Sequence, residues 1–359
     1  VGPAKNGELS RRVCEATLTW DKQSLSVVSA ASQVDIDVLG VDLGLGQPVV
    51  AFQTKKKSDL HSYMKYEIYS LRKPPRLLRT INGGDFFGAA DTDLDGRIEI
   101  WTGDASAVDG FEGLTPDEFD FAPTLALRFE HHRLVDVSSE FRPRFDDQVA
   151  EVRARLDSQD LTDFKNSDGK LSGAPSLSTE RLPRLRRTKI QILEIVWSYL
   201  NSGREQLAWH ALAEMWPAAD LERIRAALRD SQDGGIRGQV DDVSPGISRL
   251  GLRKFAYIYD AVNHIEGRSF SSNSSTADVL PQPILLMRPP PSDAENALPN
   301  AEESLDLVVD AAGKVRSAKA VGAIEPELIN ATAQWKFIPA FKEGRPVACR
   351  LRFAVTPLR

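Results

Sequence analysis

The sequence predicts a multidomain α+β protein with a β-rich, blade-like N-terminal domain, a central helical-hairpin domain and a C-terminal βαβ module. Three observations predict it. Short alternating apolar runs fill roughly the first 140 residues, and the period then turns helical for roughly 90 more. The last 57 residues read strand, strand, helix, strand. At 359 residues the chain is too long for one ordinary core, and its 42% hydrophobic and 27% charged residues are a globular composition. The expected divisions are 1–144, 145–235, an extended linker at 236–302 with one strand in it, and 303–359.

At the front, alternating or apolar runs recur at 14–20, 34–39, 48–52, 66–71, 98–101, 124–129 and 134–137, separated by Gly, Asp, Asn and Pro clusters. A faint internal repeat sets Val41-Asp42-Leu43-Gly44-Leu45-Gly46 against Asp91-Thr92-Asp93-Leu94-Asp95-Gly96, about fifty residues on, a spacing suited to propeller blades. Two units cannot close a propeller, so a small blade-like sandwich or a capped partial propeller is expected.

Helical periodicity begins at 146–156, where acidic residues suit a helix N-terminus. A loop is expected over 157–178, then helices over 188–201 and 204–215, the second ending before Pro217. Asp220 is the candidate N-cap of a third, carrying Leu221, Ile224, Ala227 and Leu228. Arg181, Arg184, Arg186, Arg187 and Lys189 read as a solvated helix face. From 236 to 302 the signal weakens: 252–262 suits one strand, 267–276 is Ser-rich and 281–299 is Pro-rich, as in a linker.

Asp91-Thr92-Asp93-Leu94-Asp95-Gly96-Arg97-Ile98-Glu99 carries the sharpest chemistry. Carboxylates at alternate positions converge when the chain curls, and glycine at the sixth allows the sharp turn. A calcium ion takes six to eight oxygens in such a flexible shell. Asp91, Asp93 and Asp95, with the Arg97 carbonyl and the Glu99 side chain, are the expected ligands. A strand follows Gly96, so the motif is not an EF-hand. It resembles the calcium loops of FG-GAP and VCBS repeats. The Asp42 echo lacks the other acids and is expected to be metal-free.

Toward the C-terminus, Leu305, Leu307 and Val309 alternate with polar or outward positions. Asp310-Ala311-Ala312-Gly313 makes a turn, and 314–321 returns. A helix over 325–333 opens with acids and Pro326. Trp335-Lys336-Phe337-Ile338-Pro339-Ala340, a turn at 342–345 and a last strand at 347–355 complete the module. This succession resembles the C-terminal domain of TonB-type proteins. The resemblance implies a three-stranded sheet with a packed helix, and docking of a partner, or self-association, by strand pairing at the sheet edge. The family's short Tyr-Pro-containing helix is not matched at 289–300.

Net charge is −6, from 45 basic and 51 acidic residues, so no global basic field favours nucleic acid. No apolar run reaches the ~18 residues of a membrane span. Cys14 and Cys349 both sit on apolar strand faces and are expected as buried thiols in separate cores. No nucleophile elbow, zinc-binding helix pair or phosphate loop occurs. His131-His132 is expected at a hairpin tip.

The expected function is therefore a non-catalytic binding or assembly protein outside the cytoplasm, where calcium is plentiful, with a leader removed. The alternatives are a structural subunit of a cell-surface assembly, and a secreted hydrolase or carbohydrate-binding protein using the β domain.

Overall fold

The computed structural model describes residues 2–3, 14–56, 63–114, 118–119, 121–171, 181–244, 258–260, 277–287, 304–322 and 324–354. Ten strands form one front sheet in chain order: β1 (Gly2–Pro3), β2 (Cys14–Trp20), β3 (Gln23–Val41), β4 (Val49–Lys56), β5 (Met64–Ser70), β6 (Leu77–Ala90), β7 (Glu99–Asp104), β8 (Thr124–Glu130), β9 (Arg133–Asp136) and β10 (Asp242–Val243). Neighbours run antiparallel up to β9, and β10 returns parallel to it.

Period-two alternation decides what each face buries. On β4, Val50 and Phe52 join Ala16, Val27 and Tyr69 in one cluster, whereas Val49 and Ala51 join Tyr66, Ile68, Ile100 and Leu127 in another. Register shifts at Ala31/Gln33, Ile36/Val38 and Leu39/Val41 mark bulges that bend the long β3. The sheet coils until Asp37 on β3 accepts from Ala89 N–H on β6, at 2.8 Å.

The alternating runs became strands, and β6 is a further strand that lies in none of the expected runs. It passes through Asn82-Gly83-Gly84-Asp85, with irregular pairing between Gly84 and Phe87 and Gly83 at φ +99°. Both repeat loops do occupy equivalent places, joining β3 to β4 and β6 to β7, within one continuous sheet. His131 and His132, at φ +52° and +67°, form the β8–β9 turn as expected.

The helical layer comprises α1 (Ala105–Val108), α2 (Arg142–Arg155), α3 (Ser158–Lys165), α4 (Arg181–Asn201), α5 (Glu205–Met215) and α6 (Leu221–Gly234). Ile192, Leu193, Val196 and Trp197 of α4 form the centre, met by Val149, Phe164, Leu212 and Ile224 from the other helices. Val108, Phe111, Leu114 and Phe119, from the β7–β8 connection, complete this core. Ile236 then returns to the sheet's core just before β10. Packing thus crosses the boundary expected near 144, and the start of the stretch expected as linker after 235 packs on the sheet.

Several local readings shift. α2 starts at Arg142 with Pro143 in its first turn, so Asp146 and Asp147 fall in its second turn. The expected 157–178 loop contains α3, whose N-terminus Asp157 caps by accepting from Gln159 and Asp160 N–H. Asp220 makes no side-chain cap bond, because Trp216 and Arg223 occupy its carboxylate. Lys189 leaves the solvated face to pair with Glu112 at 3.0 Å, at only 2% exposure. Arg181, Arg184 and Arg186 pair with Asp163, Asp160 and Glu118 at the surface.

The C-terminal part contains β11 (Tyr259–Asp260), β12 (Gln282–Leu285), β13 (Ser304–Val309), β14 (Val315–Val321), α7 (Pro326–Ala331), β15 (Lys336–Ile338), β16 (Ala340–Lys342), β17 (Arg345–Val347) and β18 (Cys349–Ala354). One sheet has the order β11-β18-β13-β14, and β12–β15 and β16–β17 form separate pairs. Leu305, Leu307, Val309, Trp335, Phe337 and Cys349 make its core. Cys349 is buried as expected and Cys14 is half-buried, and the two are not joined in a disulfide. Of the strand expected at 252–262, Tyr259 and Asp260 pair parallel with Cys349 and Arg350, while 252–257 and 261–262 lie outside the described residues. The stretches 267–276 and 288–303 also lie outside them. Among the described residues, no helix is long and apolar enough to cross a membrane.

Candidate metal centre

The β6–β7 loop brings Asp91, Asp93 and Asp95 together, with one carboxylate oxygen of each within 4.8 Å of the others. Left-handed backbone at Leu94 (φ +60°) and Gly96 (φ +84°) makes the curl. Gly96 N–H donates to Asp91 Oδ2 at 3.1 Å, closing the loop on its first residue. Asp91 is wholly buried, Asp93 half-buried and Asp95 exposed.

Two oxygens test whether a cation fits. Asp91 Oδ1 and Asp93 Oδ1 are buried and accept no hydrogen bond among the described residues. A buried carboxylate oxygen without a donor is costly unless a proton or a cation answers it. Burial, with the Asp310 and Glu99 carboxylates nearby, pushes Asp91 up to about 8. Burial and Asp95 also raise Asp93. An all-carboxylate donor set on a curled loop fits a hard divalent cation, and by itself does not choose among such ions.

The side chains of the other two residues expected at the site have partners of their own. Glu99 is 1% exposed; its Oε2 accepts from Thr92 N–H at 3.1 Å, and its Oε1 lies 3.3 Å from Arg128 Nη1. Its carboxylate braces the loop from inside and stands outside the aspartate group. Burial outweighs these contacts and pushes Glu99 up to about 7. Arg97 meets the cluster through its guanidinium, which holds Asp95 at 2.6 Å, and its N–H also donates to Asp95. In the echo loop, Asp42 accepts from Gly44 and Leu45 N–H in an Asx turn.

Beside the loop, Asp93 and Arg97 face Arg144, Asp147 and Glu151 of α2 across a cleft of about 540 Å³. The Arg144 guanidinium lies 4.5 Å from the Trp101 ring, and Trp101 Nε1–H donates to Thr92 Oγ1 at 2.7 Å. Arg128, only 2% exposed, gathers Glu99, Glu130 and Glu140 beneath the site. Arg128 and Glu140 carry no motif, and their convergence was not readable from sequence spacing.

On the far side, the loop meets the C-terminal part. Asp91 N–H donates to Asp310 Oδ2 at 3.2 Å, and Arg316 Nη2 donates to the Thr92 carbonyl at 3.1 Å. Ala312 is buried within the front sheet's own core. Lys314 Nζ binds Asp37 through its carbonyl, at 2.7 Å, and its carboxylate; Lys336 Nζ binds Asp35 Oδ2 and Ile36 O, each at 2.6 Å. Asp35 and Asp37 are two apart on β3 and offer both carboxylates toward the same module. Two adjacent alanines in a turn, at Ala311-Ala312, were the one sequence signal of this seat.

Comparison with protein-family models, with curated proteins and with solved structures finds no match for the chain.

Proposed function

We propose that this is a cation-stabilised, non-catalytic binding or assembly protein acting outside the cytoplasm. Asp91, Asp93 and Asp95 hold calcium, in a loop of the FG-GAP/VCBS kind within a blade-like sheet. The observation that carries the metal reading is the pair of buried, unanswered oxygens on Asp91 and Asp93. Calcium tolerates irregular shells completed by water, which suits three aspartates on a loop better than the strict octahedron of magnesium does.

The C-terminal module is read as TonB-like, offering a sheet edge to a partner strand or to a second copy. Support comes from the order β18-β13-β14, and from a terminal strand whose outer side carries ladder pairing only at Cys349 and Arg350 among the described residues. Backbone groups on such an edge can accept an added strand. The alternative of an envelope structural subunit uses the same edge for self-association.

A second reading, a carbohydrate-binding protein or hydrolase, is favoured by the cleft bearing Asp93, Asp147 and Glu151 beside the cation loop.

Calorimetric titration with calcium and with magnesium tests the metal reading: one calcium per chain, bound more tightly than magnesium and abolished in Asp93→Ala, is expected. Retention of calcium binding by Asp93→Ala, or none in the native chain, overturns it. Sedimentation velocity across a concentration series separates a monomeric adaptor from a self-associating subunit.

A further inference from the structure

We infer that the C-terminal module completes the cation site, with Asp310 and Arg316 as positioning residues that hold the Asp91–Asp95 loop in its ligating shape. This rests on the cation reading above and adds a part of the chain to it that the loop motif does not contain.

Three carboxylates within 4.8 Å repel one another, so the closed loop needs fasteners. From inside the front sheet come Gly96 N–H on Asp91 and the Glu99 carboxylate on Thr92 N–H. From the module come two more, both on the loop's first two residues: Asp310 takes Asp91 N–H, and Arg316 takes the Thr92 carbonyl. Asp91 and Asp310 are each 0% exposed, so water does not replace the bond between them.

Asp310 is itself fixed. Its Oδ1 accepts from Ala312 and Lys314 N–H, each at 2.9 Å, leaving Oδ2 for Asp91. Gly313, at φ +81°, permits the turn to lie against the Phe337 carbonyl. The Lys314–Asp37 and Lys336–Asp35 pairs seat the module through contacts that do not involve the loop. Whatever holds the module in place therefore also holds Asp91 and Thr92. Linkage then works both ways: a docked module tightens cation binding, and a bound cation tightens docking by the same factor.

Arg316 separates positioning from charge. Removing a cationic side chain near the site strengthens calcium binding if charge alone matters, and weakens it if the bond to Thr92 orders the loop. Asp310→Asn keeps an oxygen for Ala312 and Lys314 N–H and turns an amide toward Asp91.

Calcium titration of the full chain and its variants decides the point. Arg316→Ala and Asp310→Asn should each weaken calcium binding by roughly 3–10-fold, the range for one lost hydrogen bond, and Arg316→Lys should stay within about 2-fold of native. Amide exchange of β13 and β14 should slow on adding calcium in the native chain, and much less in Arg316→Ala. Native affinity in both weakening variants, or tighter binding in Arg316→Ala, overturns the inference while leaving the cation site standing. No calcium binding by the native chain removes the cation reading, and this inference with it.

Discussion

The Asp91 N–H donates to Asp310 Oδ2 across 219 positions of sequence, between two fully buried residues. That bond joins the loop with the strongest metal signature to the turn on which the C-terminal module is seated. Around it, Arg316 reaches Thr92 while Lys314 and Lys336 reach β3. The module is therefore part of the front sheet's packing, and changes at the loop should be felt in the module.

Acidity at this junction sets a pH dependence. Burial pushes Asp91 up to about 8, Glu99 to about 7 and Asp310 to about 6. In the unfolded chain these carboxyls titrate near ~4, so the folded state retains protons that the unfolded state releases. Their stabilisation is complete below pH ~4 and is lost as pH rises through the folded values. In EGTA the protein should melt lower near pH 8 than near pH 6, and saturating calcium should flatten that decline by replacing the protons. Melting curves in both media check it; a midpoint in EGTA that climbs over this interval contradicts it.

Two glycines with nearly equal φ should respond unequally to alanine. Gly96 (φ +84°) has open space where a Cβ would stand, whereas at Gly313 (φ +81°) a Cβ would lie 1.8 Å from the Phe337 carbonyl oxygen. Gly96→Ala should cost about 1 kcal/mol through backbone strain alone. Gly313→Ala should cost more than ~3 kcal/mol, since backbone must move. Urea denaturation of the two variants gives the comparison, and equal costs would contradict the packing described here.

The buried ion pairs of the helical layer should be asymmetric. Lys189 has Glu112 at 3.0 Å and the Lys170 carbonyl at 3.3 Å, while Glu112 also binds Arg223 through two guanidinium nitrogens. Glu112→Ala leaves Lys189 buried without its carboxylate and should cost about 3–5 kcal/mol. Lys189→Met leaves Glu112 with Arg223 and should cost about 1–2 kcal/mol. Chemical denaturation measures both, and a larger loss in Lys189→Met would reverse this ranking.

How legible this was in sequence depended on range. The aspartate loop was readable because its three carboxylates lie within five residues, and the β13–β14 hairpin because alternation and a Gly turn are local. β6 was missed because Asn82-Gly83-Gly84-Asp85 has turn composition, yet its neighbours β5 and β7 hold it extended through a bulge. Lys189 looked like one more cation on a basic face; only the folded chain brings Glu112, with a left-handed backbone at φ +56°, beneath it. Glu99 was expected at the site by spacing, but its bonds to Arg128 and to Thr92 N–H could not be read from that spacing. Asp310 carried no signal of its role, since nothing local distinguishes a turn aspartate from one that holds a loop 219 positions away.

The lysine clamp should govern how firmly the module is seated. Lys314→Ala leaves Asp37 with the Tyr66 hydroxyl and Ala89 N–H, and Lys336→Ala leaves Asp35 with Gln53. Each substitution should lower protection of β13 and β18 amides by about 1–2 kcal/mol, and the double substitution by more than either. Hydrogen exchange followed by mass spectrometry reads this directly; unchanged protection in the double variant would show that the clamp does not seat the module.

The most direct test of the cation-stabilised junction is the melting midpoint of the full chain and of Asp93→Ala, each in EGTA and in saturating calcium. Calcium should stabilise the native chain by roughly 1–3 kcal/mol, the linkage expected at about 10–100 times Kd. Asp93→Ala should melt in EGTA no lower than the native chain, because it relieves repulsion among the three aspartates, and should not respond to calcium. A native midpoint indifferent to calcium, or an equal rise in Asp93→Ala, would contradict the account.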